Sequence, residues 1–144
     1  TKVVDIYSTL SEYTSNITVF DPWANVDKVQ KEYGIEAVET LPKDKKYDAI
    51  IMDPPSYGRG PKGEIWKIEN KFNELLQRIK KILTDDFLFV LINCYTTGFS
   101  NIALENIVKI EFSDMNRNIY SGQTLLPITS GDLYLPCGIY CRVE

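Results

Sequence analysis

The sequence predicts an α/β fold: a mainly parallel sheet with helices on both faces, forming a three-layer α/β/α sandwich, and ending in an antiparallel hairpin. Two observations carry this expectation. Helix-type and strand-type apolar patterns alternate over roughly the first 110 residues, which implies parallel strands joined by helical crossovers. After them, Gly122–Ile128 and Leu133–Val143 read as two strands joined through Ser130-Gly131, a hairpin signal. The composition agrees. With 144 residues, 44% hydrophobic and 25% charged, the chain has the size and balance of one domain spanning 1–144.

In residues 2–14, Val3, Ile6, Tyr7 and Leu10 recur at i, i+3, i+4, i+7, one apolar face of a helix. Ile17–Phe20 is a short strand, stopped by Asp21-Pro22-Trp23 because proline cannot donate to a ladder. Asp27 and Gln30 have the spacing of a capping box, opening a helix that Gly34 closes. Ile35–Thr40 alternates as a strand, with its core expected at 36–40, and Lys43–Lys46 reads as a solvated charged loop. Tyr47–Met52 is almost wholly apolar, as in a strand covered on both faces. Asp53 to Gly63 holds three prolines and three glycines and reads as a loop. Phe72, Leu75, Leu76, Ile79, Ile82 and Leu83 then form one helical stripe, and Phe87–Ile92 is a second apolar strand. Ser100 caps a helix carrying Ala103, Leu104, Ile107 and Val108.

Composition also excludes chemistry. The net charge of −4 argues against a generally basic nucleic-acid binder. No histidine is present, which removes imidazole acid–base catalysis and His-ligated zinc. Three cysteines, Cys94, Cys137 and Cys141, do not make a disulfide framework or a four-Cys metal site, and are expected as reduced, small hydrophobes in a cytoplasmic protein. No apolar run is long enough to span a bilayer, so no membrane partner is expected, and without histidine or a fourth cysteine no metal is expected.

The residues with the most chemistry follow the strand at 47–52. A loop at the carboxyl end of a parallel strand is where open α/β sheets bind ligands. Pro54 and Pro55 hold the loop extended. Their carbonyls are expected to be available to an exocyclic amine, Asp53 to orient that amine or accept its proton, and Tyr57 to stack on a base. The plain alternative is a proline-stiffened loop with Asp53 capping a neighbouring group.

Residues 47–144 resemble the C-terminal half of class I S-adenosylmethionine (SAM)-dependent methyltransferases of the rRNA type. The likeness rests on Asp53-Pro54-Pro55-Ser56-Tyr57-Gly58 running on through Arg59-Gly60-Pro61-Lys62-Gly63-Glu64, on Asn93-Cys94-Tyr95-Thr96-Thr97-Gly98, and on Leu135-Pro136-Cys137-Gly138. It implies a Rossmann-like sheet and makes Asp53, Pro54, Pro55 and Tyr57 the inherited methyl-acceptor site, with SAM as cofactor. Relatives that methylate a pyrimidine carbon use a cysteine after the fifth strand. Thr96 stands at the equivalent place and Cys94 two residues earlier, which speaks against cysteine-based carbon methylation here.

The first fifty residues resemble something else. Val3-Val4-Asp5-Ile6-Tyr7, Ile17-Thr18-Val19-Phe20-Asp21-Pro22-Trp23, Lys31-Glu32-Tyr33-Gly34-Ile35 and Leu41-Pro42 through Tyr47-Asp48-Ala49-Ile50 are similar to the C-terminal domain of UDP-sugar dehydrogenases. The two likenesses meet near 47–53, where both families have an apolar strand, so a recombination junction is expected there.

In both families a strand precedes the helix at Lys2, and a methyltransferase carries a Gly-rich cofactor turn after it. This sequence has no glycine before Gly34. Asp21 is the one candidate for a cofactor contact, to ribose hydroxyls, against the alternative of a structural turn. The expectation is a recombinant or truncated Rossmann-like domain carrying the acceptor-loop half of a methyltransferase, binding SAM weakly or not at all and inactive by itself. The alternatives are a nucleotide-sugar-binding module or a purely structural chimeric scaffold. Expected partners are RNA or a small-molecule acceptor, and a second copy completing the sheet. For RNA, seven basic residues (Arg59, Lys62, Lys67, Lys71, Arg78, Lys80, Lys81) stand against Glu64, Glu69 and Glu74, a local balance of +4. A solvated helix face explains the same pattern and is preferred.

Overall fold

The structure, a computed structural model, describes residues 2–22, 24–60 and 63–144. Trp23 of the strand stop, and Pro61 and Lys62 of the loop and the basic group, lie outside the described residues. By contact density the chain divides into two compact units, Thr1–Lys45 and Lys46–Glu144.

The first unit contains α1 (Lys2–Ser11), β1 (Val19–Phe20), α2 (Val26–Tyr33) and β2 (Ala37–Val38). β1 and β2 pair in parallel, Val19 opposite Ala37 and Phe20 opposite Val38. The expected helices and strands are present, but the N-cap of α2 is Asn25, not the anticipated box at Asp27. The Asn25 side chain accepts from the Lys28 N–H at 2.9 Å. Asp27 falls in the first turn, where a carboxylate favours the positive end of the helix dipole. Gly34 closes α2 with φ 69°, a left-handed conformation that glycine adopts without a Cβ penalty. Lys45 is more than a solvated loop residue: its Nζ donates to Asn16 Oδ1 and Thr18 Oγ1 at 3.1 and 2.9 Å.

The second unit contains β3 (Ala49–Met52), β4 (Tyr57–Arg59), β5 (Ile65–Lys67), α3 (Ile68–Ile82), β6 (Phe89–Cys94), α4 (Asn101–Glu111), β7 (Ile119–Pro127) and β8 (Tyr134–Val143). Its main sheet has the order β3-β6-β8-β7. β3 and β6 run parallel with Met52 opposite Ile92, while β8 is antiparallel to both β6 and β7. The sheet is thus mixed, parallel where a helix crosses over and antiparallel at the closing hairpin. The stripe on α3 packs as its spacing dictates: Ile68, Phe72, Leu76 and Ile79 join Val90, Ile92 and Cys94 of β6, Leu104 and Val108 of α4, and Cys141 and Val143 of β8 in one core. Ser100 caps α4, accepting from the Ala103 N–H at 3.1 Å.

Two expectations need correction. β3 is not covered on both faces. Ile50 and Met52 pack on the core, whereas Ala49 and Ile51 are exposed, and among the described residues β3 lies at the edge of its sheet. The stretch after Asp53 is not all loop either. Tyr57–Arg59 and Ile65–Lys67 pair antiparallel, Gly58 opposite Trp66. Among the described residues, no helix is long and apolar enough to cross a membrane.

Candidate functional site

Because β3 and β6 are parallel neighbours in register, their carboxyl ends deliver two loops side by side. One begins at Asp53. The other is Tyr95-Thr96-Thr97-Gly98, and Gly98 turns it with φ 82°. The loops are fastened to each other: Ser56 Oγ and Thr96 Oγ1 lie 2.7 Å apart, a hydrogen bond between residues 40 apart in sequence.

Within the first loop the β4–β5 hairpin folds back on its own start. Ile68 N–H donates to the Ser56 carbonyl at 3.1 Å. Trp66 Nε1–H donates to the Pro55 carbonyl at 2.6 Å. The expectation that both proline carbonyls lack a local donor therefore fails at Pro55, whose carbonyl faces the indole. Pro54 is buried and Asp53 exposed. Tyr57 is half exposed, and its hydroxyl accepts from Arg59 Nε at 2.7 Å. The guanidinium therefore orients the phenol, while about half of Tyr57, 49%, stays exposed.

Asp53 lies near enough to Cys94 to act on it electrostatically. Burial first, and the Asp53 carboxylate second, push the Cys94 thiol up to about 11. A buried, protonated thiol is a poor nucleophile, in keeping with Thr96 rather than Cys94 reaching the loop. Cys141 is likewise buried, and burial followed by Glu105 pushes it up to about 12.

Between the β6 loop and the closing hairpin lies an open cleft of about 610 Å³, lined by Tyr95, Thr96, Thr97, Gln123, Pro136 and Cys137 among others. Gly138 allows the close approach at its floor. A Cβ there would stand 3.0 Å from the Cys94 carbonyl, and its φ of 153° disfavours a side chain. Thr96 both lines the cleft and holds Ser56, so it couples the cleft to the Asp53 loop.

Asp53, Pro54 and Pro55 form one continuous loop at the end of β3, and Tyr57 opens β4 directly after it. Sequence reasoning missed Ser56, Trp66 and Thr96 as its fasteners; no local spacing signals them, since Trp66 stands 11 residues from Pro55 and Thr96 40 from Ser56. Asp21 lies in the first unit at the carboxyl end of β1. Its N–H donates to the Val38 carbonyl at 3.1 Å and its own carbonyl accepts from Ala24 at 3.3 Å, which is turn geometry. The basic stretch is partly neutralised. Lys71 and Arg78 both pair with Glu74, and Lys80 pairs with Asp114 at 2.6 Å, holding that carboxyl below its ordinary range. Among the described residues no cluster of His, Cys, Asp and Glu side chains could hold a metal ion.

No family model matches the chain. Over 52 residues it is 38% identical to the UDP-N-acetyl-D-glucosamine 6-dehydrogenase of Salmonella typhi and 48% identical to that of Pseudomonas aeruginosa. Each match covers 36% of this chain and 12% of the relative. In structure, the chain is similar to a SAM-dependent methyltransferase from Agrobacterium tumefaciens, with a TM-score of 0.82 at 18% identity, covering 98% of this chain and 53% of the other. It is also similar to a provisionally assigned methyltransferase complexed with S-adenosylhomocysteine, with a TM-score of 0.53 at 16% identity over 69% of this chain and 27% of the other. The resemblance is mixed. The fold is the α/β, Rossmann-like fold seen in SAM-dependent methyltransferases, while the sequence identity is to a short piece of dehydrogenases. The chain spans about half the length of the Agrobacterium protein.

Proposed function

We propose that residues 47–144 carry the acceptor-loop half of a SAM-dependent methyltransferase, with Asp53, Pro54, Pro55 and Tyr57 as the methyl-acceptor site. The observation that carries this is the Ser56–Thr96 hydrogen bond, which locks the Asp53 loop against the loop of the neighbouring parallel strand. A planar amine-bearing group lying on the exposed part of Tyr57 would present its amine to Asp53 and to the Pro54 carbonyl. Holding that amine in line with a methyl donor is what such a site contributes, since orientation supplies much of the rate in methyl transfer. RNA and small-molecule acceptors both fit this geometry.

The 144 residues taken alone are proposed to be catalytically silent. Tight SAM binding uses backbone N–H groups in a Gly-rich turn, where no Cβ blocks close approach, and this sequence has no glycine ahead of Gly34. Asp21 offers a single ribose contact. The single domain over 1–144, its three-layer arrangement and a recombination junction near 47–53 belong to the same reading. The division of the chain between Lys45 and Lys46 supports the junction; the exposed face and edge position of β3 do not.

A second reading is favoured by the 38–48% identity to dehydrogenases: the first unit is a nucleotide-sugar-binding module. A thermal-shift series with SAM, S-adenosylhomocysteine and UDP-N-acetylglucosamine separates the two. The first reading predicts no shift with a UDP-sugar. A stabilisation specific to the UDP-sugar replaces it with the second.

A further inference from the structure

The basic residues that follow the Asp53 loop are not equivalent. Lys71 and Arg78 share Glu74, Lys80 holds Asp114, and Lys81 lies in the last turn of α3. Arg59 and Lys67 are exposed, and among the described residues neither enters a salt bridge. The β4–β5 ribbon brings these two together. Tyr57 stands opposite Lys67, and Arg59 opposite Ile65. Residues opposite each other in an antiparallel pair share a face, as do residues two apart along a strand. All four therefore lie on one face. Gly58 and Trp66 take the other, where the indole N–H meets the Pro55 carbonyl.

The four-residue face joins cations to apolar surface, with Tyr57 and Ile65 49% and 54% exposed. It holds no carboxylate. The Gly60 N–H donates to the Glu64 carbonyl at 2.9 Å, so alternation puts Glu64 on the Trp66 face, its carboxylate beside Gly60. Glu69 belongs to α3. Arg59 and Lys67 stand diagonally across the two strands, about 7–8 Å apart. That interval is comparable to the one between successive phosphates of an extended single strand. Cations spaced for phosphates, with an aromatic ring between them for a base, suit single-stranded nucleic acid. With a net charge of −4 the chain has no general pull on a polyanion, so the attraction has to be local. Ile65 is the one aliphatic side chain on the face, too little to anchor in a bilayer.

We infer that the face formed by Tyr57, Arg59, Ile65 and Lys67 binds a single-stranded nucleic acid beside the Asp53 loop. This rests on the reading of that loop as an acceptor site, and it narrows the substrate from any amine to a base within a strand. Arg59 and Lys67 hold the phosphates that flank the base. Arg59 already donates through Nε to the Tyr57 hydroxyl, which leaves its two Nη groups for a phosphate. Ile65 supports the neighbouring sugar or base.

Fluorescence anisotropy of end-labelled oligo(A) and oligo(U), each about 12 nucleotides long, tests this with the 144-residue chain and no SAM. Saturable binding is expected. The Arg59→Gln, Lys67→Gln double variant should weaken it at least about tenfold and reduce the salt slope by about 1.4, for two phosphates at about 0.7 each. Lys71→Gln with Arg78→Gln removes the same charge from paired positions and should change affinity less than about twofold. Circular dichroism controls for folding of both variants. Absence of binding up to about 1 mM chain at about 50 mM salt overturns the inference, as does equal weakening by the two double variants. Binding to phosphatidylserine vesicles but to neither oligonucleotide, lost in Arg59→Gln, Lys67→Gln, overturns it by making the face a membrane contact. Base preference separates this inference from the acceptor reading. Oligo(U) lacks an exocyclic amine, so an acceptor site adds a preference for oligo(A) that Asp53→Ala removes. Binding through Arg59 and Lys67 without that preference supports the ribbon face and counts against the acceptor site. A preference for oligo(A) that keeps full affinity in Arg59→Gln, Lys67→Gln does the reverse.

Discussion

The two units use the same sequence devices and obtain different burial from them. In the second unit, periodic apolar residues on α3, α4, β6 and β8 converge on one core in which Leu76, Val90, Ile92, Leu104 and Val108 are fully buried. In the first, among the described residues, only Ile35 is buried, and the apolar face of α1 leaves Val3 and Ile6 exposed. Periodicity predicts that a helix or strand forms with a face to cover. How completely that face is covered depends on how many other elements meet it. Two strands of two residues each, β1 and β2, offer far less surface than β3, β6, β7 and β8.

The largest effects that sharpen this contrast lie in the core. Leu76→Ala should lower stability by about 2–5 kcal/mol, because it removes a fully buried side chain and leaves a cavity. Leu10→Ala, half-buried on α1, should cost under about 1 kcal/mol. Urea unfolding followed by circular dichroism compares them, and equal costs would erase the contrast.

Next comes pH. The thiols of Cys94 and Cys141 are raised from an ordinary 9.0 to about 11 and about 12 in the folded chain. A group whose folded pKa is raised gives its full stability below the unfolded value. Stability therefore falls as pH rises from about 9 through 11 to 12. In a Cys94→Ala, Cys141→Ala double variant this fall should shrink in thermal melts across that window. Exposed Cys137 should react with a thiol reagent in the native protein, and the two buried cysteines only on unfolding.

The smallest effects are the helix caps. Asn25→Ala and Ser100→Ala each remove one side-chain acceptor from a helix N-terminus, worth about 1 kcal/mol. Ser100→Ala, on a helix that packs Leu104 and Val108 into the core, should lower the midpoint of the cooperative transition. Asn25→Ala should instead increase amide hydrogen exchange locally in α2 and leave that midpoint nearly unmoved.

Much of this was legible in sequence. Long stripes such as Phe72–Leu83 and the paired runs around Ser130-Gly131 gave the helices, the strands and the closing hairpin in order, because 3.6- and 2-residue periods survive in a one-dimensional reading. The β4–β5 hairpin was not. Tyr57-Gly58-Arg59 is three residues among prolines and glycines, too short for a period, and becomes a strand by pairing with Ile65-Trp66-Lys67. The cap at Asn25 was displaced by a competing match at Asp27 and Gln30, where local spacing alone cannot tell which polar residue has non-helical backbone. The Asp53 loop was marked out by its motif, whereas its fastening was not, since Ser56 and Thr96 meet only once β3 and β6 lie side by side. Pro55 shows the same limit: the donor to its carbonyl, Trp66, is brought there by the hairpin.

Isothermal titration of the 144-residue chain with SAM tests most directly whether the proposed acceptor site stands without a bound methyl donor. No saturable binding is predicted below about millimolar, a range worth only roughly 4 kcal/mol. A micromolar dissociation constant, abolished by Asp53→Ala or Asp21→Ala, would contradict it.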